Sequence, residues 1–260
     1  MKCFEIMEKL ESLSPQHFAE SWDNVGLLVG SAEKEVCSCM LALDATDTVI
    51  DQAILMEADL LITHHPMIFK PLKKIVADDF TGKRVIKLIQ NDISYFAMHT
   101  NFDVMGMADE AAEKLGLLSS NVLEITFEDD ISKEGIGRIG FLQQEMSLEE
   151  CAQLVKETFD LDQVRVFGDG ANRVCKAAIV PGSGSDYIDR ALRAGADVII
   201  TGDISHHQGL DAAEKGISVI DAGHYGLEKI FIPYMRSFFG RELPELQVFE
   251  ARQPAPFWHV

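Results

Sequence analysis

Histidines and carboxylates gather at three places in this 260-residue chain, each just past an apolar stretch. Thr63-His64-His65-Pro66 follows Leu60-Leu61-Ile62, and Asp221-Ala222-Gly223-His224-Tyr225-Gly226-Leu227-Glu228 follows Ile217-Ser218-Val219-Ile220. Between them lies His99-Thr100-Asn101-Phe102-Asp103. Imidazole with carboxylate is the ligand set of zinc, iron(II), manganese and nickel, and its chemistry is metal-dependent hydrolysis. The apolar runs read as strands, and open α/β sheets place ligands at the carboxyl ends of their strands.

Adjacent side chains on an extended strand point to opposite faces. At a strand end kinked before Pro66, His64 and His65 can diverge by less and contact two different metal ions, which suits a two-metal site; alone, the pair would read as two polar loop residues. His224 and Glu228 are four apart and share one face of a helix. Glu228 could bridge two cations, and Asp103 could supply a second carboxylate. His99 reads as a group orienting a ligand, as a proton carrier, or as a buried hydrogen-bonded residue. His206, with His207 beside it, is a candidate proton donor or substrate contact, and Asp203 occupies the position that a duplication would match to His65.

The elements that must position these groups look duplicated. Residues 36–63 match residues 174–201 without gaps: Val36-Cys37 with Val174-Cys175, Ile50-Asp51 with Ile188-Asp189, and Ala58-Asp59 through Thr63 with Ala196-Asp197 through Thr201. Each copy reads as strand, loop, amphipathic helix and strand. Asn91–Ser94 matches Lys215–Ser218 more loosely, with a one-residue shift at the histidine that follows. The predicted fold class is therefore α/β, built of two related, interlocked halves, 1–130 and 131–260, with the metal site in the cleft between them.

Other elements fit around this frame. Residues 2–12 predict an amphipathic helix that ends at Ser14-Pro15. Segment 122–146 predicts short strands, Ser147-Leu148-Glu149-Glu150 a helix start, and Leu246–Glu250 a final strand. Phe231–Phe239 is expected to continue the helix after Glu228. Pro181-Gly182-Ser183-Gly184-Ser185 reads as a tight strand–helix turn more readily than as an anion loop, since it lacks a P-loop lysine. Trp22-Asp23-Asn24-Val25-Gly26 reads equally well as a structural turn or as a wall of the site.

Composition narrows the function classes. A formal charge of −19, from 42 Asp and Glu against 23 Lys and Arg, argues against a nucleic-acid surface. No apolar run approaches a membrane span. The beginning of the chain lacks a basic segment and long apolar core, so the expected location is the cytoplasm. Five cysteines form no zinc-type pattern and read as reduced thiols, with Cys37 and Cys39 sharing one strand face.

Trp22-Asp23-Asn24-Val25-Gly26-Leu27, Thr63–Pro66, His99–Asp103 and Asp221–Glu228, in this order, resemble the signatures of the GTP cyclohydrolase type 2 homolog family, the Nif-three-like proteins. The resemblance covers nearly the whole chain. It implies two divalent metal ions per chain, held by His64, His65, Asp103, His224 and Glu228, with Glu228 shared. It also implies a toroidal homohexamer and a small-molecule substrate of nucleotide type, GTP ring opening with formate release being the reaction the family label suggests. Some relatives insert a domain between the halves; the short 140–175 segment leaves no room for one here.

Under that reading a metal-bound water attacks the substrate while His99 or His206 moves protons. Two other functions use the same ligands: a two-metal phosphoesterase, and a metal-binding regulatory or scaffold protein without turnover.

Overall fold

The computed structural model describes residues 1–258, which pack as two compact units. One comprises Met1–Phe102 with Phe231–Pro254; the other comprises Asp103–Ile230 with the residues from Ala255. Sequence likeness and packing divide this chain differently, because the segment from Phe231 returns to the first unit.

The first unit begins with α1 (Cys3–Leu13), which buries Cys3, Ile6 and Leu10 at one-turn spacing. Strand β1 (Gly26–Val29) leads to β2 (Ser38–Ala42), α2 (Asp47–Leu55) and β3 (Leu60–Thr63), then α3 (Phe80–Gln90) and β4 (Ser94–Ala97). Side-chain caps fix where α2 and α3 start: Val49 N donates to Thr46 Oγ1 and Gly82 N to Asp79 Oδ2. Strands β2, β3 and β4 are parallel and buried along their whole length, which explains why they read as apolar runs without alternation. After β4 comes the short turn α4 (Thr100–Phe102).

The second unit opens on a π-helical turn, Asp103–Met107, followed by α5 (Ala108–Leu115). A long hairpin, β5 (Leu118–Glu128) and β6 (Lys133–Ser147), replaces the short strands expected over 122–146. Arg138 on β6 is 4% exposed, and it donates to the Asp109 carboxylate and to the carbonyls of Gly135, Gly137 and Val104. One buried guanidinium thus pins α5 and the π-helical turn to the hairpin.

Next come α6 (Leu148–Thr158), β7 (Arg165–Phe167), β8 (Arg173–Ser183), α7 (Ile188–Arg193), β9 (Val198–Gly202), α8 (His206–Lys215), β10 (Ser218–Asp221) and α9 (His224–Glu228). Ser147 and Glu150 form the reciprocal cap expected at the start of α6. The sheet runs β5-β6-β8-β9-β10-β7, with β8, β9 and β10 parallel.

The chain then returns to the first unit as α10 (Phe231–Glu242) and β11 (Gln247–Glu250). Strand β11 pairs with β2, so the first sheet has the order β1-β4-β3-β2-β11. The helix expected to continue past Glu228 is broken: α9 stops there and α10 starts at Phe231.

Both units contain the duplicated β-strand, helix, β-strand segment, and the likeness extends to a third parallel strand. Leu60 pairs with Ser94 in one sheet and Val198 with Ser218 in the other. Met98 N donates to Thr63 O at 2.9 Å, and Ala222 N donates to Thr201 O at 2.8 Å. That register matches His99 with Gly223 and Thr100 with His224, which accounts for the one-residue shift. Cys37 lies just before β2 and is exposed while Cys39 is buried, so the two thiols do not share an environment. Among the described residues no helix is long and apolar enough to cross a membrane.

Candidate metal centre

In the first unit three imidazoles converge where β3 and β4 end. His64 is completely buried, and its Nδ1 lies 2.8 Å from the Met98 carbonyl. A carbonyl only accepts, so Nδ1 carries a proton. His65 Nδ1 lies 2.8 Å from Asp44 Oδ1, and His99 Nδ1 lies 2.9 Å from Asp23 Oδ1. Each of the three rings is thus anchored through Nδ1, and one ligand atom from each lies within 4.8 Å of the others. Fixing Nδ1–H on a carbonyl or carboxylate while Nε2 stays open is how metal-binding histidines are oriented.

The supports are themselves held. Gln253 Nε2 donates to Asp44 Oδ2 at 2.9 Å, and Gln253 Oε1 accepts from the amides of Leu43 and Asp44. Asp23 has a fully enclosed side chain whose Oδ2 accepts from Thr100 N at 3.0 Å and from Thr100 Oγ1 at 2.6 Å. Burial alone would raise its pKa, but the hydrogen bonds and charge of His99 and the bonds from Thr100 outweigh burial and lower it to about 2.

In the second unit His224 opens α9 and Glu228 ends it. His224 Nε2 lies 2.8 Å from Glu228 Oε2, and its Nδ1 lies 2.8 Å from Asp203 Oδ2. Burial opposes the charged ring, yet the hydrogen bonds and charges of Glu228 and Asp203 win and raise its pKa to about 9. Asp203 takes a left-handed backbone conformation, φ 58°, to reach Nδ1. Glu228 is 3% exposed. A Cβ on Gly182 would stand 2.4 Å from Glu228 Oε1, so only glycine leaves the carboxylate its place. A Cβ on Gly202, the repeat partner of His64, would meet the His224 amide nitrogen at 2.4 Å.

Asp103 is the first residue of the π-helical turn and is half-buried. His206 and His207 lie in the first turn of α8, exposed, their rings edge-on at 5.1 Å. His206 joins no cluster of three metal-ligating groups among the described residues. Each unit offers donors that suit a borderline divalent cation: imidazoles anchored through Nδ1 in the first, and in the second a buried carboxylate whose oxygen sits in a space made by a missing Cβ.

The sequence matches the Duf34/NIF3 (NGG1p interacting factor 3) family over residues 1–256. The chain belongs to that family. A GTP cyclohydrolase 1 type 2 homolog of Clostridium acetobutylicum is 40% identical over 230 residues, 88% of this chain and 85% of the relative. One from Clostridium perfringens is 39% identical, covering 88% of this chain and 87% of its own. A Bacillus cereus protein related to NIF3 superposes with a TM-score of 0.90 at 27% identity, covering 100% of this chain and 99% of that one. The NIF3 membership bears out the resemblance read from the four motifs, and the mixed α/β fold with two sheets is the fold of those solved relatives.

Sequence reasoning did not single out Asp44, Gln253 or Gly202, and left Asp23 and Gly182 within motifs of undecided role. Gly182 carried a visible signal, the Pro181–Ser185 loop. Its stated reading was a turn or an anion loop, whereas its steric part is to make room for Glu228.

Proposed function

We infer that this NIF3-family protein is a metal-dependent hydrolase acting on a small molecule, with a nucleotide such as GTP as the favoured substrate class. The observation that supports the reading is the convergence of His64, His65 and His99, each anchored through Nδ1. In this reading His64, His65, Asp103, His224 and Glu228 hold two divalent cations, Glu228 contributing to both. The cations supply, when bound, a water acidified toward neutral pH and positive charge for the developing oxyanion.

The chain's own groups do the rest. His64 and His65 are oriented through Nδ1, which Met98 O and Asp44 hold. His99, held by Asp23, offers Nε2 to take up or deliver a proton next to them, and His206 is a second candidate for that transfer. His224 must give up its Nε2 proton before that nitrogen can ligate. The nucleotide assignment is supported by the name its curated relatives carry, GTP cyclohydrolase 1 type 2 homolog. The working form in this reading is a cytoplasmic homohexamer.

The test is elemental analysis of the protein beside His65→Ala and Glu228→Ala, each then incubated with GTP and added zinc, manganese or iron(II). About two metals per chain, lost in the variants together with formate release, is the expected result. Metal binding without formate would remove GTP ring opening and favour a phosphoester substrate or a metal-binding role without turnover.

A further inference from the structure

Trp22-Asp23-Asn24 spends one residue on each of three tasks in the first unit. Asp23 holds His99. Asn24 Nδ2 donates to the carbonyl of Ile68 at 2.5 Å, tying this turn to the loop that leaves His65. Trp22 then meets Phe69 on that loop, ring centroids 5.6 Å apart, and lies edge-on to His99 at 6.1 Å; Phe69 is 6.4 Å from the same imidazole.

The two aromatic planes differ by 49°, so they do not stack on each other. Trp22 remains 56% exposed and Phe69 46%. Single exposed aromatics are ordinary, but two in contact, fixed by a hydrogen bond and adjoining a histidine cluster, form a prearranged apolar surface that lacks its counterpart.

Charge on the same loop is unusual for this chain. Between β3 and α3 it carries Lys70, Lys73 and Lys74 against two acidic residues, Asp78 and Asp79 at its far end, in a protein with 42 Asp and Glu against 23 Lys and Arg. All three lysines are exposed, and none has an ion pair or side-chain hydrogen bond among the described residues. A solvated lysine next to an open ring face attracts a ligand that combines a flat ring with an anionic group.

We propose that Trp22 and Phe69, with Lys70, Lys73 and Lys74, form the substrate-recognition subsite of this protein, taking a planar heteroaromatic ring that bears phosphate. The choice of a purine nucleotide among such ligands rests on the function proposed above; the pairing of ring and anion rests on the residues. Trp22 stacks on the base beside His99 while the tilted Phe69 ring packs against the edge of the base, and the lysines neutralise the phosphate. Specificity resides in this loop, apart from the groups that bind metal.

The chain has two tryptophans, so Trp258→Phe leaves Trp22 as the sole fluorescent reporter. GMP, guanosine and ribose 5-phosphate are titrated into that protein, into its Phe69→Ala derivative, and into one with all three lysines changed to Glu. GMP is expected to quench saturably, guanosine more weakly, and ribose 5-phosphate not at all. Phe69→Ala weakens GMP binding at least tenfold. The triple variant lowers GMP to the level of guanosine and leaves guanosine unchanged.

Absence of saturable quenching by GMP and guanosine, or GMP binding equal in all three proteins, overturns the proposal. Metal content and turnover are read on the same preparations. Quenching without turnover keeps the subsite and removes the hydrolase; turnover on GTP without quenching does the reverse.

Discussion

Asp59 and Asp197 perform the same task at matching positions of the duplicated segments. Asp59 Oδ2 accepts from the amides of Cys37 and Ser38 at 2.8 and 3.0 Å. Asp197 Oδ2 accepts from Cys175 and Lys176 at 2.9 and 2.8 Å. In each unit a carboxylate just before one central strand captures two successive amides of the neighbouring parallel segment, at the start of β2 in one sheet and within β8 in the other, which sets the register of the pair. Just before each aspartate's alanine sits a left-handed residue, Glu57 at φ 52° and Gly195 at φ 79°. The duplication is thus preserved in backbone conformation and hydrogen bonding as well as in apolar pattern.

Removing either carboxylate leaves two amides without their acceptor. Asp59→Ala and Asp197→Ala are each expected to lower stability by about 1–3 kcal/mol, and the Asn variants by less. Urea unfolding checks this; an unchanged midpoint in both Ala variants would show that solvent replaces the carboxylate at no cost.

Asp23 receives four donors: the imidazole N–H of His99, the amide and hydroxyl of Thr100, and the amide of Asn24. Asn offers one acceptor oxygen and places an NH2 against the others, so Asp23→Asn is expected to cost about 2 kcal/mol and to free the His99 ring. Because the folded carboxyl titrates at about 2, below its ordinary 3.8, its contribution is present above 3.8 and lost as pH falls through about 2. Acid unfolding of the variant should lose the part of the pH dependence that lies in that window.

His224 carries a proton in the metal-free protein at neutral pH, its pKa standing at about 9 against an ordinary 6.5. A raised histidine stabilises fully below 6.5, and that stabilisation disappears as pH rises through about 9. A metal taking Nε2 must expel the proton, so apparent affinity should rise with pH up to about 9. Calorimetry at pH 7 in buffers of different ionisation enthalpy should detect about one proton released from this site on metal addition. Identical heats in all buffers would refute ligation by His224.

Gly182 and Gly216 both have left-handed backbones, at φ 76° and 91°. A Cβ at 182 would collide with Glu228, while one at 216 would meet nothing within 4 Å. Each change to Ala should cost about 1–2 kcal/mol in backbone strain. Only Gly182→Ala should also reduce metal content. Equal metal content in the two variants would separate Gly182 from the site.

Much of the architecture was legible because parallel central strands must be apolar throughout, and Leu60–Thr63 and Val198–Gly202 are. Helix starts were legible where a cap is local in sequence, as at Ser147 and Glu150. The break between α9 and α10 is signalled only by Pro233, which has no N–H to continue a helix from Glu228 and is tolerated in the first turn of α10. The return of Phe231–Glu250 to the first sheet was not legible, because strand pairing between β11 and β2 is a long-range choice that the four residues of β11 do not encode alone.

Sequence by itself singled out the imidazoles and carboxylates at strand ends, whose chemistry suits a metal, and it showed the duplicated frame, since the apolar pattern repeats. Tertiary structure alone decided what state those ligands are in. The tautomers of His64, His65 and His99 depend on acceptors 34, 21 and 76 positions away, and the charge on His224 depends on Asp203, 21 positions away, as well as on Glu228. Hydrogen bonds and ion pairs act over about 3–4 Å of space, so the groups that set protonation become identifiable only when folding brings them into contact.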